Sequence, residues 1–507
     1  MISIINKVSI LKINFFSNYI SNIIIAILGI IFVPIYLKYL GTEAYGIIGV
    51  FISLQVILSV LDGGLGGALT KEIAHRSLQV GQKEKIGNLV KTLGTVYWIF
   101  AIIISLLAIS ISPLLAKYWV KPVNLSYKEV VEAFMLLSVS LMFLFPAGFY
   151  SGGLIGLQKH FMLNLLKIVF ALAKYGGSVV VLIFSSEKLI AFFIWNLIIN
   201  ATQAMVFKIT FWNYIAIGQR DAKFDKQELK SVQKYAFGLF GINITSLILT
   251  QVDRIVLSKI LPLDQFGCYT LAASIAVFIF QIIQPINQSF FPRFSALIGN
   301  GNKEELKQVY RLAYQIVSLL IMPAFLILAF FSTELLYFVT HDLTLTQNTK
   351  TILSIMAVAN GLNSLLNIPY QLSLANGWTK YALYQNLLLI LTLTPLTIYL
   401  SLHYSALGGA ASGLILNVVI LIVGSIIIHK HLMEGELTKW LRYGLFLPLI
   451  LNAGVLLFFR KTIYWDQTNR LLTIVIVFSF GIFCLILNSF LLPEIRKRIK
   501  DFKNILC

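Results

Sequence analysis

The sequence predicts an all-α protein that crosses a membrane many times, and three observations carry that reading. Of its 507 residues 58% are hydrophobic and only 12% charged, against a charged fraction of about 25% in ordinary soluble domains. Apolar runs of about 20 residues, the length that crosses roughly 30 Å of hydrocarbon as a helix, recur from residue 15 almost to the end. Strand-length alternation of apolar and polar residues is absent, which excludes a membrane β-barrel.

Taken in order, the runs between charged or turn-rich breaks give fourteen helices, near 15–37, 45–69, 92–115, 129–150, 163–184, 189–215, 237–260, 267–291, 309–332, 351–373, 382–402, 406–428, 443–460 and 471–491. The first follows "MISIINKVSILKIN", is too long for a signal-peptide core and lacks a small-residue cleavage site, so it is expected to remain. Lys and Arg concentrate in the N-terminus and in every second loop. By the positive-inside bias both termini are cytoplasmic, which fits an even helix count and a multi-pass protein of the cytoplasmic (inner) membrane. The longest loop on the opposite side is expected at 333–350. The net charge of +19 sits largely in short segments such as "RDAKFDKQELKSVQK" and the tail "RKRIKDFK". There anionic lipid headgroups attract it, so the bilayer rather than nucleic acid is the basic chain's partner. Cys268, Cys484 and Cys507 are scattered and suggest neither disulfide nor metal.

The chain also repeats itself. "KYLGTEAYG" at 38–46 and "KILPLDQFG" at 259–267 share the frame Lys, Leu, acidic, aromatic, Gly, and each joins two predicted helices on the outer side. The register that lays Lys38 on Lys259 also lays Asn22 on Asn243, in the first and seventh helices. The resulting organisation is an N-lobe at 1–231 (helices 1–6), a C-lobe at 232–435 (helices 7–12), and a third segment at 436–507 with helices 13–14 and a basic tail. Two six-helix lobes in parallel orientation are expected, since repeats of this kind are typical of transporters with the substrate path between them.

Polar residues within the runs form stripes. In the second helix Gln55, Ser59, Asp62 and Gly66 fall at i, i+4, i+7 and i+11; in the seventh Asn243, Ser246, Thr250 and Asp253 or Arg254 are similarly spaced. The sixth helix carries Asn196, Asn200 and Gln203, the eighth Gln281, Gln284 and Gln288, and the tenth Asn360, Asn363, Asn367 and Gln371. Amide stripes either fasten helix to helix, at roughly 0.6 kcal/mol each, or line a wet cavity. Five of them beside intramembrane cations favour the cavity. In the fifth helix, "FMLNLLKIVFALAKYGG", Asn164, Lys167 and Lys174 fall at i, i+3 and i+10 with no acid in the helix to neutralise them. A Lys at the bilayer centre costs about 2.5–3.5 kcal/mol, so the pair is expected to face water or an anion, unless Lys167 snorkels to the edge. Lys208 lies nearer a helix end and snorkels. Asp253 and Arg254 are adjacent and point roughly 100° apart, so at least one looks to another helix or to a ligand. Arg254 offers a fork that holds two phosphate oxygens; an interhelical ion pair is the other reading.

The segments "YLKYLGTEAYG", "DGGLGGALTKEIA", "GLQK" and "DRIVLSKILPLDQFGCYTLA" resemble Wzx-type polysaccharide and O-antigen flippases of the multidrug/oligosaccharidyl-lipid/polysaccharide exporter superfamily. The resemblance implies two six-helix lobes in a V with two extra helices, and as cargo an undecaprenyl-pyrophosphate-linked oligosaccharide. It places Asp62 at the acidic position of the second-helix motif and Asp253 and Arg254 at the seventh-helix pair. Lys159 stands where the related pattern often has Arg, keeping charge but losing the fork. Such a cargo needs deep cations for its pyrophosphate and amides for its hydroxyls. Lys167, Lys174 and Arg254 supply the first; Asn22, Asn243, Gln55, Gln284, Asn360 and Asn363 supply the second. No cofactor is expected, with H+ or Na+ as the coupling ion; a phosphate loop of the G-x-x-x-x-G-K-[ST] type is absent from the sequence. Partners implied are the polymerase and chain-length regulator of the same pathway, with the flippase itself a monomer. Two other classes stay open. A membrane polymerase or ligase would carry a large outer loop and a catalytic motif, whereas the chain has neither G-x-S-x-G nor H-E-x-x-H. A drug/cation antiporter of the superfamily would want acid in its cavity. "HKH" at His429–His431 puts two imidazoles on different helix faces and is not expected to hold metal.

Overall fold

A computed structural model describes residues 17–18, 20–61, 65–77, 83–215, 222–462 and 470–498. Within them the protein is helical, and eleven stretches are long and apolar enough to cross a membrane, as expected where backbone groups must be satisfied within each segment. The chain divides into two compact units, Met1–Gly267 and Cys268–Cys507, whereas the repeat places the lobe boundary at 231/232.

The first unit contains α1 (Ile20–Ile31), α2 (Val33–Leu61), α3 (Leu65–Arg76), α4 (Lys83–Leu114), α5 (Tyr127–Gly156), α6 (His160–Phe184), α7 (Lys188–Ile215) and α8 (Lys226–Ile260). α9 (Leu263–Ala276) runs across the division. The second unit continues with α10 (Phe278–Gly299), α11 (Lys303–Phe330), α12 (Ser332–Thr340), α13 (Leu343–Ala375), α14 (Thr379–Val419), α15 (Ser425–Leu432), α16 (Leu437–Lys439), α17 (Leu447–Thr462) and α18 (Arg470–Leu491). The fourteen predicted helices overlap these elements, but not one to one: 15–37 covers parts of α1 and α2, 45–69 parts of α2 and α3, 267–291 parts of α9 and α10, and 406–428 parts of α14 and α15. The stretch 383–432 holds two of the fourteen. α14 breaks at Ser405 (φ 53, ψ −135), and a Cβ on Gly408 would lie 1.9 Å from the Leu400 carbonyl oxygen, so the chain reverses there.

Helices begin earlier than the apolar runs. α4 starts at Lys83 instead of 92, α8 at Lys226 instead of 237, and α13 at Leu343 instead of 351. Hydrocarbon excludes charged residues, but Lys and Glu are good helix formers, so the helix continues past the membrane edge to a capping residue. Asp225 accepts from the Gln227 N–H (2.8 Å) and Asp342 from that of Leu345 (3.0 Å). The loop expected at 333–350 is therefore α12, a left-handed His341 (φ 58), and the start of α13.

In the first unit Leu89, Leu93, Phe149, Leu154, Phe207 and Phe211 form the core where α5 packs between α4 and α7. α3 lies close on α5, with the Thr70 hydroxyl donating to the Gly152 carbonyl (2.9 Å). Gly152 and Gly156 of α5 permit this approach, since a Cβ on the first would lie 3.0 Å from the Thr70 hydroxyl oxygen and one on the second 2.8 Å from the Thr70 carbonyl oxygen. The second unit is built around α11 and α13, with Ile321, Phe325, Leu365 and Leu372 in its core. A polar cluster ties the last helices to α11. His429 Nδ1 donates to the Ser425 carbonyl (2.7 Å), which leaves Nε2 to accept the Tyr310 hydroxyl (2.8 Å). Arg311 grips Glu436 at two points, Lys439 adds a contact at 3.1 Å, and Gln315 accepts the Glu494 N–H (2.9 Å). Asn452 and Asn488 exchange amide hydrogen bonds between α17 and α18 (3.0 and 3.2 Å).

Glu436 is 2% exposed. Burial pushes its carboxyl up, but the hydrogen bonds from Arg311 and Lys439 outweigh that and hold it below the ordinary 4.5. A carboxyl that titrates lower in the folded chain stabilises the fold above the unfolded value of 4.5, and the contribution is lost as pH falls through the lowered value. Glu436→Gln is therefore expected to lose about 1.5–3 kcal/mol at pH 7. In detergent melts, the gap to wild type should close as the pH drops below 4.5; a pH-independent gap contradicts this account.

Candidate functional site

The charged face of α6 is the most unusual feature of the first unit. His160, Asn164, Lys167, Lys174 and Ser178 succeed one another at spacings of four, three, seven and four, so they share one side of the helix. That side meets the first helix and the start of α2. Asn164 donates to Ser17 Oγ (3.1 Å) and to the side-chain oxygen of Asn18, and Asn18 reaches His160 Nδ1 (3.3 Å). Farther along, the Tyr36 hydroxyl donates to the Tyr175 carbonyl (3.1 Å), and Phe32 stacks on Tyr175 with ring centroids 5.9 Å apart. Lys167 and Lys174 are half-buried within this contact. Among the described residues no carboxylate lies within 4.0 Å of either. Seven residues of helix set their Cα atoms about 10 Å apart. The arrangement is a row of two uncompensated cations with amide and hydroxyl neighbours, suited to an extended anion rather than to proton-transfer chemistry.

The other expected residues divide. Asn22 on α1 and Gln55 on α2 are half-buried. Asp62 lies outside the described residues, as does the Asn243 side chain on α8. Asp253 and Arg254 are half-buried on α8, and Arg254 makes no ion pair among the described residues. Gln284 is exposed on α10. Asn360 donates to the Ala276 carbonyl (3.0 Å) and Asn363 to the Asn417 side chain (2.7 Å), while Asn367 accepts from Asn287 (2.9 Å). On α7, Asn200 donates to Ser140 Oγ (2.6 Å). These amides fasten helices, the alternative that the stripes left open. Among the described residues no group of three or more His, Cys, Asp or Glu is placed to hold a metal ion. Lys159 of "GLQK" sits 4.7 Å from the Tyr214 ring centroid.

Sequence reasoning missed Glu43. Its carboxylate is 7% exposed and accepts the backbone N–H groups of Val123 (2.6 Å), Asn124 (2.9 Å) and Leu125 (3.3 Å). Beside it, the Lys121 carbonyl accepts the Leu263 N–H (3.0 Å), the Lys121 ammonium reaches the Ile260 carbonyl (2.9 Å), and the Trp119 indole donates to Ser258 (3.0 Å). The two copies of the repeat meet here in reciprocal fashion. A Cβ on Gly46 would lie 2.3 Å from the Leu263 carbonyl oxygen, and one on Gly267 would lie 2.1 Å from that of Thr42. Residues 42 and 263, like 46 and 267, are equivalent in the repeat, so the contact is a local pseudo-two-fold. The shared acidic position was the available signal for Glu43. Its counterpart Asp264 is exposed.

Residues 11–298 match the polysaccharide biosynthesis protein family, and residues 239–400 match the MatE family. The first match spans more than half of the chain, which belongs to that family. No curated protein matches by sequence. Among solved structures, the chain is similar to the lipid II flippase MurJ in an inward closed conformation, at 15% identity and a TM-score of 0.71, covering 94% of this chain and 97% of that one. It also resembles an inward-facing multidrug resistance MATE family transporter of the MOP superfamily, at 16% identity and a TM-score of 0.66, covering 83% and 99%. A MOP superfamily transporter from Pyrococcus furiosus, described by a binding pocket of reverse polarity, aligns at 16% identity and a TM-score of 0.55 over 83% and 96%. At these identities the likeness establishes the fold.

Because neither backbone at the repeat contact can retreat without disturbing the Glu43 cap, Gly267→Ala is expected to destabilise the protein by about 1–3 kcal/mol. Gly454→Ala, whose Cβ would enter open space, serves as the control. Equal melting temperatures for the two variants in detergent would show that the close approach contributes nothing.

Proposed function

We propose that the protein is a flippase carrying a pyrophosphate-linked oligosaccharide, on an undecaprenyl or similar polyprenyl anchor, from the inner to the outer leaflet of the cytoplasmic membrane for O-antigen, capsule or related polymer synthesis. The observation that carries this reading is the pair Lys167 and Lys174, two cations without a carboxylate on one helix face inside a membrane protein. The family's description and the fold shared with a lipid II flippase support it. A pyrophosphate diester brings two negative charges, which Lys167, Lys174 and Arg254 would meet, while Asn22 and Gln55 serve sugar hydroxyls. Arg254 contributes a planar fork for two oxygens. A cytoplasm-negative potential of 100 mV favours outward movement by roughly 2.3 kcal/mol per charge. Alternating access of this kind couples to a proton or sodium gradient, with Asp253 as the acid available to it. The MatE match favours a second reading, drug/cation export, but uncompensated lysines repel a cationic cargo.

Lys174→Ala is expected to abolish surface glycan while membrane protein levels stay at wild type, because the change removes a ligand contact and relieves a burial cost. Arg254→Lys should lose most function despite keeping the charge. Wild-type surface glycan in both variants would remove the cations from the transport path.

Sidedness is tested separately, in a background without cysteines. Ser77→Cys should be shielded from an impermeant thiol reagent in intact cells, and Thr344→Cys, exposed at the start of α13, should react. Reversed labelling would invert the topology and the direction of transport.

A further inference from the structure

A second pair of cations lies in the first unit, away from the α6 face. Lys91 on α4 and Lys208 on α7 line one pocket of about 200 Å³ together with Gly94, Trp98, Tyr150 and Trp212. Two like charges thus share one cavity. No carboxylate lines the pocket, and neither lysine joins an ion pair among the described residues. The indole N–H groups of Trp98 and Trp212, which line the pocket, are buried without a hydrogen-bond partner among the described residues. The Tyr150 hydroxyl lines the same pocket and has a proton to give. Like charges side by side at the membrane, with a hydroxyl donor between them, are complementary to an anion.

Depth and surroundings specify the anion. The stretch Glu84–Trp119 has 36 residues, which at 1.5 Å each is about 54 Å, well beyond a hydrocarbon core of roughly 30 Å. Lys91 is seven residues from the start of that stretch, and Lys208 is seven from the end of α7 at Ile215. The chain returning from α7 is tied to the same level of α4, with Lys223 N donating to Asn88 (2.7 Å) and Asp225 N to Thr92 (2.8 Å). Both lysines therefore sit at headgroup depth. The pocket opens between two exposed apolar stripes, Ile99, Ile102 and Leu106 on α4 and Met205 and Ile209 on α7, which face acyl chains.

We propose that this pocket binds the phosphodiester headgroup of an anionic phospholipid from the leaflet at that end of the helices, as a site separate from the cargo path. The phosphate lies between the two ammonium groups and receives the Tyr150 proton. The tryptophans occupy the interfacial position they favour, against the glycerol and upper acyl carbons. A free phosphate would meet the same cations but gain nothing from the apolar rim.

Native mass spectrometry of the purified full-length protein, with phosphatidylglycerol and phosphatidylcholine supplied equally, tests the proposal. Wild type is expected to retain phosphatidylglycerol preferentially. Lys91→Gln with Lys208→Gln should reduce that preference roughly tenfold, and Tyr150→Phe should reduce it severalfold. Lys91→Arg with Lys208→Arg, and the control Lys117→Gln on the far end of the same stretch, should retain it. If the double Gln variant keeps the wild-type preference, the site is wrong. If millimolar inorganic phosphate displaces the bound lipid fully, the pocket is a free-anion site and the lipid assignment falls. Should the Gln variants fail to fold, loss of preference in Tyr150→Phe decides for the proposal and its retention decides against it.

Discussion

Hydrocarbon offers no hydrogen bonds and little dielectric screening, and this single constraint organises the protein from backbone to candidate sites. It forces the backbone into helices. It also sends most intramembrane amides to one another or to nearby carbonyls: Asn363 to Asn417, Asn287 to Asn367, Asn452 to Asn488, Asn200 to Ser140. Ionic groups that are structural obey the same rule. Arg311 and Lys439 both pair with Glu436, and Glu43 is satisfied by three backbone donors. Against that background of completed pairs, an intramembrane cation without a carboxylate is an exception that asks for an external partner.

The repeat has a structural consequence that amide pairing does not explain. Copies of one sequence frame, far apart in the chain, come together through backbone rather than side chains, each glycine receiving the carbonyl of the residue equivalent to its own neighbour's partner. Such reciprocity requires matched geometry at both copies and the absence of Cβ at both glycines. The turn at 121–125, held by Glu43 and by the bond from Leu263 to Lys121, fixes the approach from a third side. Since Asp264 at the equivalent acidic position stays exposed, the two copies share backbone form while their carboxylates have different surroundings.

The all-α, many-spanning character and the positions of the apolar helices were legible in the sequence because length and apolarity report directly on hydrocarbon thickness; the number was not, since fourteen were expected and eleven stretches among the described residues are long and apolar enough to cross. Helix ends were not, because the periodicity stops at the membrane edge whereas Lys- and Glu-rich turns carry the helix on to Asp225 and Asp342. The cations of α6 were legible for a related reason: charge within an apolar run stands out. The fate of each amide was not, because the stripe spacing of Asn360 and Asn363 is identical whether they bind a ligand or reach Ala276 and Asn417. Glu43 was hidden by its place beside a loop, where an acid is unremarkable until its three donors, more than 70 residues away in sequence, are brought to it. From sequence alone Lys208 read as a snorkelling end and Lys91 fell in the charged stretch before the third expected helix. Only the fold shows that they snorkel into the same pocket.

Two sets of uncompensated lysines therefore have to be distinguished by their neighbours rather than by charge. Around Lys167 and Lys174 the neighbouring groups are amides and hydroxyls from the first helix, α2 and α6 itself, groups able to exchange hydrogen-bond partners. Around Lys91 and Lys208 they are indoles, a phenol and exposed aliphatic side chains, a lining that matches a lipid with one charged end and is a poor match for sugars. A path must release what it binds, so its contacts are best made of exchangeable polar groups; a resident lipid is held by the apolar area that a sugar cannot use. On the two proposals, the same cost of burying a cation would be met in two ways within the first unit, by a passing ligand on one face and by a component of the bilayer on the other.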